Sequence, residues 1–213
     1  MKKLFLCMVT ISIFLFIFFY VDAGTAATPV TLGQYTVIGW NDLGMHCIDH
    51  DYSVFAILPP FNNLHAQVID RYTGTLVSSG VILTYRAARD TDGSINTTSI
   101  GKINFWDFVL PLFGMQLLQD TGLTGNPVQS LTPAPMIFNP TYGYWEADGI
   151  PVVPYNDHGL PNYYPMVKVA VKRQDGTTLA VTKTVLPVSD EMRCKRCHKS
   201  NTGILLHDPQ QAG

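Results

Sequence analysis

Apolar and polar residues alternate most regularly over "MVKVAVKRQDGTTLAVTKTVLPVS" (166–189). Two runs of period two flank Asp175-Gly176, a dipeptide suited to a tight turn, and predict an antiparallel hairpin. The same period, with β-branched and aromatic residues, marks "QYTVIGW" (34–40). It returns from "HAQVID" (65–70) through "RYTGT" to "LVSSGVILTYRAA" (76–88), which predicts two or three more antiparallel strands. "VFAILPP" (54–60) is apolar and closed by two prolines, and "RDTDGSINTTS" (89–99) reads as a loop. Its "DTDGS" starts like a calcium loop but lacks the closing Glu, so a turn is expected.

The stretch with helical character is "KINFWDFVLPLFGMQLLQD" (102–120), which Pro111 must kink or split. It is apolar all round, which predicts burial in the core rather than a membrane-surface helix. Residues 121–165, rich in Gly, Pro and aromatics, predict ordered loops with short strands. The fold class that follows is mainly β: an immunoglobulin-like or related β-sandwich with a short helical insertion. No Cys–Trp–Cys pattern marks a true immunoglobulin domain.

Composition sharpens this picture. Charged residues are only 14%, and 17 Gly with 14 Pro suit a turn-rich β protein better than a helical bundle. The 213 residues suffice for one sizeable domain with a short appendage. A net charge of -2 without a long basic run argues against nucleic acid as a partner.

The N-terminus sets the compartment. Lys2 and Lys3 precede the apolar run "LFLCMVTISIFLFIFFYV", and small residues follow at once in "DAGTAATPV". This is the pattern of a secretory signal, with cleavage expected after Ala23, Ala26 or Ala27; an uncleaved anchor is the alternative. The membrane enters only through that anchor. Residues 1–27 are thus read as signal, 28–189 as the β-sandwich-like domain and 190–213 as a C-terminal segment, in a periplasmic or extracellular protein. Of the four cysteines, Cys7 leaves with the signal. Cys47, Cys194 and Cys197 remain, an odd number that cannot form a closed disulfide framework.

"EMRCKRCHKS" (191–200) supplies another explanation. Cys194, Cys197 and His198 match the c-type haem attachment motif in full. One helical turn brings thiols three residues apart to the same side, where both can add to the vinyl groups of a single porphyrin. His198, next in sequence, is placed to ligate the iron axially. One covalent haem c is the cofactor expected here. The alternative is zinc, held by Cys47 and His50 from "CIDH" together with Cys194 and Cys197. A redox-active thiol pair would want a βαβ context that the chain lacks.

"NDLGMHCIDHDYS" (41–53) is the second cluster, with Met45, His46, Cys47, His50 and the carboxylates Asp42, Asp49 and Asp51. His46 or Met45 is a candidate distal iron ligand; His50, His65, His158 and His207 are alternatives. Met45, His46, Cys47 and His50 also form a soft set that copper would accept. The plainer reading is a turn-rich loop in which aspartates cap and Cys47 is buried. No G-x-S-x-G, H-E-x-x-H or glycine-rich phosphate loop accompanies these residues.

Taken together, "GWNDLGMHCIDHDYSVFAILPPFNNLHAQVID" (39–70) and "LPVSDEMRCKRCHKSN" (186–201) resemble a group of exported bacterial c-type-cytochrome-like proteins with no established activity. In those proteins an N-D-L-G-M-H-C segment precedes a β region and a haem motif, often in organisms rich in multihaem cytochromes. The resemblance implies Cys194, Cys197 and His198 as the haem site, and leaves His46 and Cys47 as a shared motif without a role. Similar proteins run on past a segment like Leu206-His207-Asp208, so any second haem or domain they hold is expected to be missing here. The function expected is haem binding and electron transfer, with other envelope cytochromes or redox proteins as partners. A non-catalytic zinc-stabilised module and a haem enzyme with an open distal site are the competing readings.

Overall fold

The alternating runs become strands whose apolar sides face one another. The computed structural model describes residues 33–53 and 58–193; the signal segment and the motif at 194–198 lie outside the described residues. In chain order the elements are β1 (Tyr35–Trp40), β2 (His46–Asp49), β3 (Asn62–Asp70), β4 (Ile82–Ala87), α1 (Phe105–Phe113), β5 (Ala134–Pro135), β6 (Ile137–Asn139), β7 (Tyr144–Ile150), β8 (Met166–Lys172), β9 (Thr178–Val185) and β10 (Val188–Met192).

Two four-stranded antiparallel sheets carry the fold, one in the order β1-β3-β7-β6 and the other β5-β4-β8-β9. In β8, Val167, Val169 and Val171 are fully buried while Lys168 and Lys172 alternate outward. In β3, Leu64, Ala66 and Val68 turn inward, and Trp145 and Ala147 of β7 do the same. Both inner faces contribute to one core cluster, in which each fully buried valine is worth about 1.5–3 kcal/mol. The protein is therefore mainly β and β-sandwich-like, with one short helix among the described residues.

The 166–189 hairpin forms as its pattern predicts, with Gly176 at φ +88 closing the turn. Close approach of β1 to the second sheet rests on Gly39. A β-carbon there would stand 3.3 Å from the Thr182 methyl and 3.6 Å from that of Val169.

The helix is shorter than its apolar run. It spans Phe105–Phe113 rather than 102–120, because Gly114 turns left-handed at φ 65 and donates its N–H back to Leu110 O. Pro111 is accommodated inside the last turn instead of splitting two helices. All-round burial does not hold either. Phe105 and Val109 pack on Tyr52, whereas Leu110 and Leu118 are exposed. The segment 121–165 also holds more than short strands, since the seven-residue β7 is a central strand of its sheet.

The third pairing is parallel. β2 lies beside β10, with His46 opposite Val188 and Cys47 opposite Ser189, and the His50 N–H donates to Met192 O at 2.8 Å. "NDLGMHCIDHDYS", read as a polar loop, thus contains a strand, and β10 runs into the segment read as a polar appendage.

Candidate functional site

Asn62 holds the junction where the two sequence clusters meet. It is fully buried at the start of β3 and donates from Nδ2 to Pro187 O at 2.7 Å and to Gly44 O at 3.2 Å. Pro187 O also accepts the His46 N–H at 3.2 Å. One amide thereby ties the turn before β2 to the residue before β10. Residues 46–50 and 188–192 become neighbours although more than 130 positions separate them in sequence.

His46 is half-buried, with its ring on Phe61 at 4.3 Å and Nε2 3.0 Å from Pro59 O. A carbonyl only accepts, so Nε2 carries the proton and the lone pair sits on Nδ1. Burial lowers the His46 pKa against the opposing effect of that carbonyl, which favours the neutral ring. Met45, just before it, is exposed.

His50 is arranged the other way round. Its exposed ring meets Asp190 Oδ2 through Nδ1 at 2.8 Å, which leaves the neutral ring's lone pair on Nε2. The Tyr155 hydroxyl donates to the same carboxylate oxygen. Burial alone would raise Asp190, but the bonds from Tyr155 and His50 outweigh it and hold the carboxyl below its ordinary range. Burial, then the Asp190 bond, push Tyr155 up to about 12. An imidazole whose Nδ1–H is fixed by a carboxylate is the usual posture of a metal-ligating histidine.

Cys47 has a different environment. Its free thiol accepts from the Ser189 hydroxyl at 3.5 Å. Consecutive residues of β10 thus engage the two groups separately, Ser189 the Cys47 thiol and Asp190 the His50 ring, in a stretch where the register with β2 shifts between Ser189 and Met192. Asp49 is fully buried and accepts the Leu58 N–H at 3.1 Å. Burial and the Asp49 charge drive the Tyr52 phenol far above its ordinary pKa. Asp51 accepts the Ser53 N–H at 2.9 Å, a capping role that the plain loop reading anticipates.

Two other sequence candidates lie elsewhere. His158 is exposed in a turn closed by Asn156. His65 is buried on the outer side of the first sheet, where Nε2 meets Asp148 Oδ1 at 3.0 Å. His198, Cys194, Cys197 and His207 lie outside the described residues. Beside His46, Pro59, Pro60, Phe61, Phe105, Trp106 and Pro151 line an apolar cleft of about 150 Å³. Ligand pockets generally occupy roughly 300–1,000 Å³, so this cleft does not enclose a porphyrin.

Sequence reasoning missed Asp190 and Tyr155, which orient His50. Asp190 opens the C-terminal segment 190–213, in which the sequence reading placed no strand, whereas β10 runs on to Met192. No alternation could have revealed this strand, because in "VSDEM" only the end residues Val188 and Met192 are apolar. No family model, curated protein or solved structure matches the chain.

Proposed function

We propose that this chain is an exported monohaem c-type cytochrome-like protein that binds haem and transfers electrons in the cell envelope. Cys194 and Cys197 hold the porphyrin by two thioether bonds and His198 provides an axial nitrogen. The observation that supports this reading is the parallel pairing of β2 with β10, which ends two residues before Cys194. The His50 N–H, bonded to Met192 O, therefore lies at the end of β10 that leads in sequence into the motif.

When bound, the haem supplies a one-electron iron couple. The chain's own residues orient and tune it. Asp190 and Tyr155 fix the His50 ring with Nε2 presented outward, which favours His50 over His46 as the distal ligand. His46 would first have to give up its bond to Pro59 O to offer Nε2. Lys195 and Arg196, interleaved in sequence with the motif cysteines, would favour acidic redox partners. The zinc alternative gains no comparable support: the Cys47 thiol is engaged by Ser189 and the His50 ring by Asp190. Location in the periplasm or outside the cell belongs to the same proposal and rests on the N-terminal pattern.

Expression in a host competent for haem attachment tests the proposal. A mature product carrying the mass of one haem, red after denaturing electrophoresis, is expected; bare polypeptide mass overturns it. A low-spin six-coordinate spectrum that turns high-spin in His50→Ala but not in His46→Ala assigns the distal ligand. A five-coordinate wild-type spectrum would point to a ligand-binding haem enzyme instead.

A further inference from the structure

We infer that the outer face of the first sheet carries a separate binding site for a divalent transition-metal cation, built from His65, Glu146 and Asp148 with Asp42 closing it. Strand register creates the site. His65 of β3 lies directly opposite Trp40 of β1 and Glu146 of β7, so the three side chains share the face turned away from the core. Asp148 follows two residues after Glu146 and returns to that face. One ligand atom from each of His65, Glu146 and Asp148 can be chosen so that all lie within 4.8 Å of one another. Asp42, in the turn after β1, brings Oδ2 to 4.0 Å from His65 Nε2.

Several features distinguish this cluster from scattered surface acids. His65 is only 3% exposed although it sits on an outer face, because its ring stacks on Tyr144 at 4.4 Å and meets Trp40 edge-on at 5.8 Å. Packing therefore fixes the imidazole with Nε2 aimed among the carboxylates. Two carboxylates are also held by amides at the oxygen not needed for the ion. Asn63 Nδ2 donates to Asp42 Oδ1 at 3.1 Å, and Asn139 Nδ2 to Glu146 Oε2 at 2.9 Å. Such outer bonds orient ligands in metal sites. Among the described residues no lysine or arginine pairs with Asp42, Glu146 or Asp148.

The donor set names the ion. One imidazole with two or three carboxylates suits zinc or manganese(II). An all-oxygen site would suit calcium or magnesium, and a thiolate site copper(I). Ligands about 2.0–2.2 Å from one ion stand no more than about 4.4 Å apart, so small side-chain rotations close the cluster. The Asp42 and Asp148 side chains are each 43% exposed, which leaves a path for the ion and room for a water ligand.

Calorimetric titration of the mature, haem-loaded protein with zinc, and loss of the free manganese(II) resonance signal, test the site. One ion per chain is expected, with affinity at least about tenfold weaker in Glu146→Gln and Asp148→Asn and unchanged in Cys47→Ser. Circular dichroism checks that the variants are folded. Asp42→Asn, on an exposed turn, decides the matter by the same weakening if either strand variant is not folded. Absence of stoichiometric binding, equal affinity in the carboxylate variants, or loss of zinc in Cys47→Ser overturns the inference. The cluster shares no residue with the haem motif, and the same carboxylate variants titrated in protein without haem read it equally, so the two proposals fail separately.

Discussion

Replacing Asn62 with alanine isolates the junction on which the functional reading depends. The side chain is fully buried and donates two hydrogen bonds, to Pro187 O and Gly44 O, while its Oδ1 accepts the Asn63 N–H at 2.8 Å. Pro187 O keeps the His46 N–H, and Gly44 lies on an exposed turn where water can replace the lost donor. Neither carbonyl is then stranded, and the cost is the net value of the bonds, about 0.5–1.5 kcal/mol each. The void left by the amide adds to this, so a loss of about 2–3 kcal/mol is expected. For a domain of this size each kcal/mol corresponds to roughly 2–4 °C, which places the melting midpoint about 4–12 °C lower. Thermal unfolding followed by tryptophan fluorescence reads the shift. A midpoint within about 1 °C of wild type would show that Asn62 does not secure β2 and β10, and the argument for their alignment would fail with it.

Other expectations concern parts of the fold that act independently. Gly122→Ala would set a β-carbon 1.9 Å from Gly149 O, so backbone must move; a loss of about 1–3 kcal/mol or more is expected in chemical denaturation. Tyr85→Phe removes a fully buried hydroxyl that donates to Pro127 O at 2.6 Å, and should cost about 1–2 kcal/mol by the same measurement. Acid should destabilise the fold through Asp190 and Asp157. In both, burial raises the carboxyl, but hydrogen bonds prevail and hold the folded value below the unfolded one. Their stabilisation is therefore complete above about pH 5 and lost as pH falls below about 4. Urea midpoints measured from neutral pH downward should show that loss, with a shallower decline in Asp190→Asn.

Much of the sandwich was legible in the sequence because period two survives wherever one strand face is buried. Val167, Val169 and Val171 against Lys168 and Lys172 announce β8 without ambiguity. β7 was hidden by its chemistry: Glu146, Asp148 and Gly149 read as loop residues, although Trp145 and Ala147 alternate with them. The helix was overextended because apolar residues continue past Gly114, and composition alone does not reveal a left-handed cap. The parallel partner of β2 lies far along the chain, and no local pattern specifies it. The same limit applies to the metal cluster. His65 sits between Leu64 and Ala66, and only the registers of β3 with its neighbours bring it to Glu146 and Trp40.

Pairing of β2 with β10 also imposes an order of assembly. Cys47 meets Ser189 across 142 positions, so a chain threaded outward from its N-terminus must have delivered nearly its whole length before that contact can form. β2 waits without its partner through the earlier stages of folding, and the last of the described strands is the one that covers it. A chain cut off after β9 would retain both large sheets yet leave β2 with a bare edge, a surface prone to pairing with another molecule.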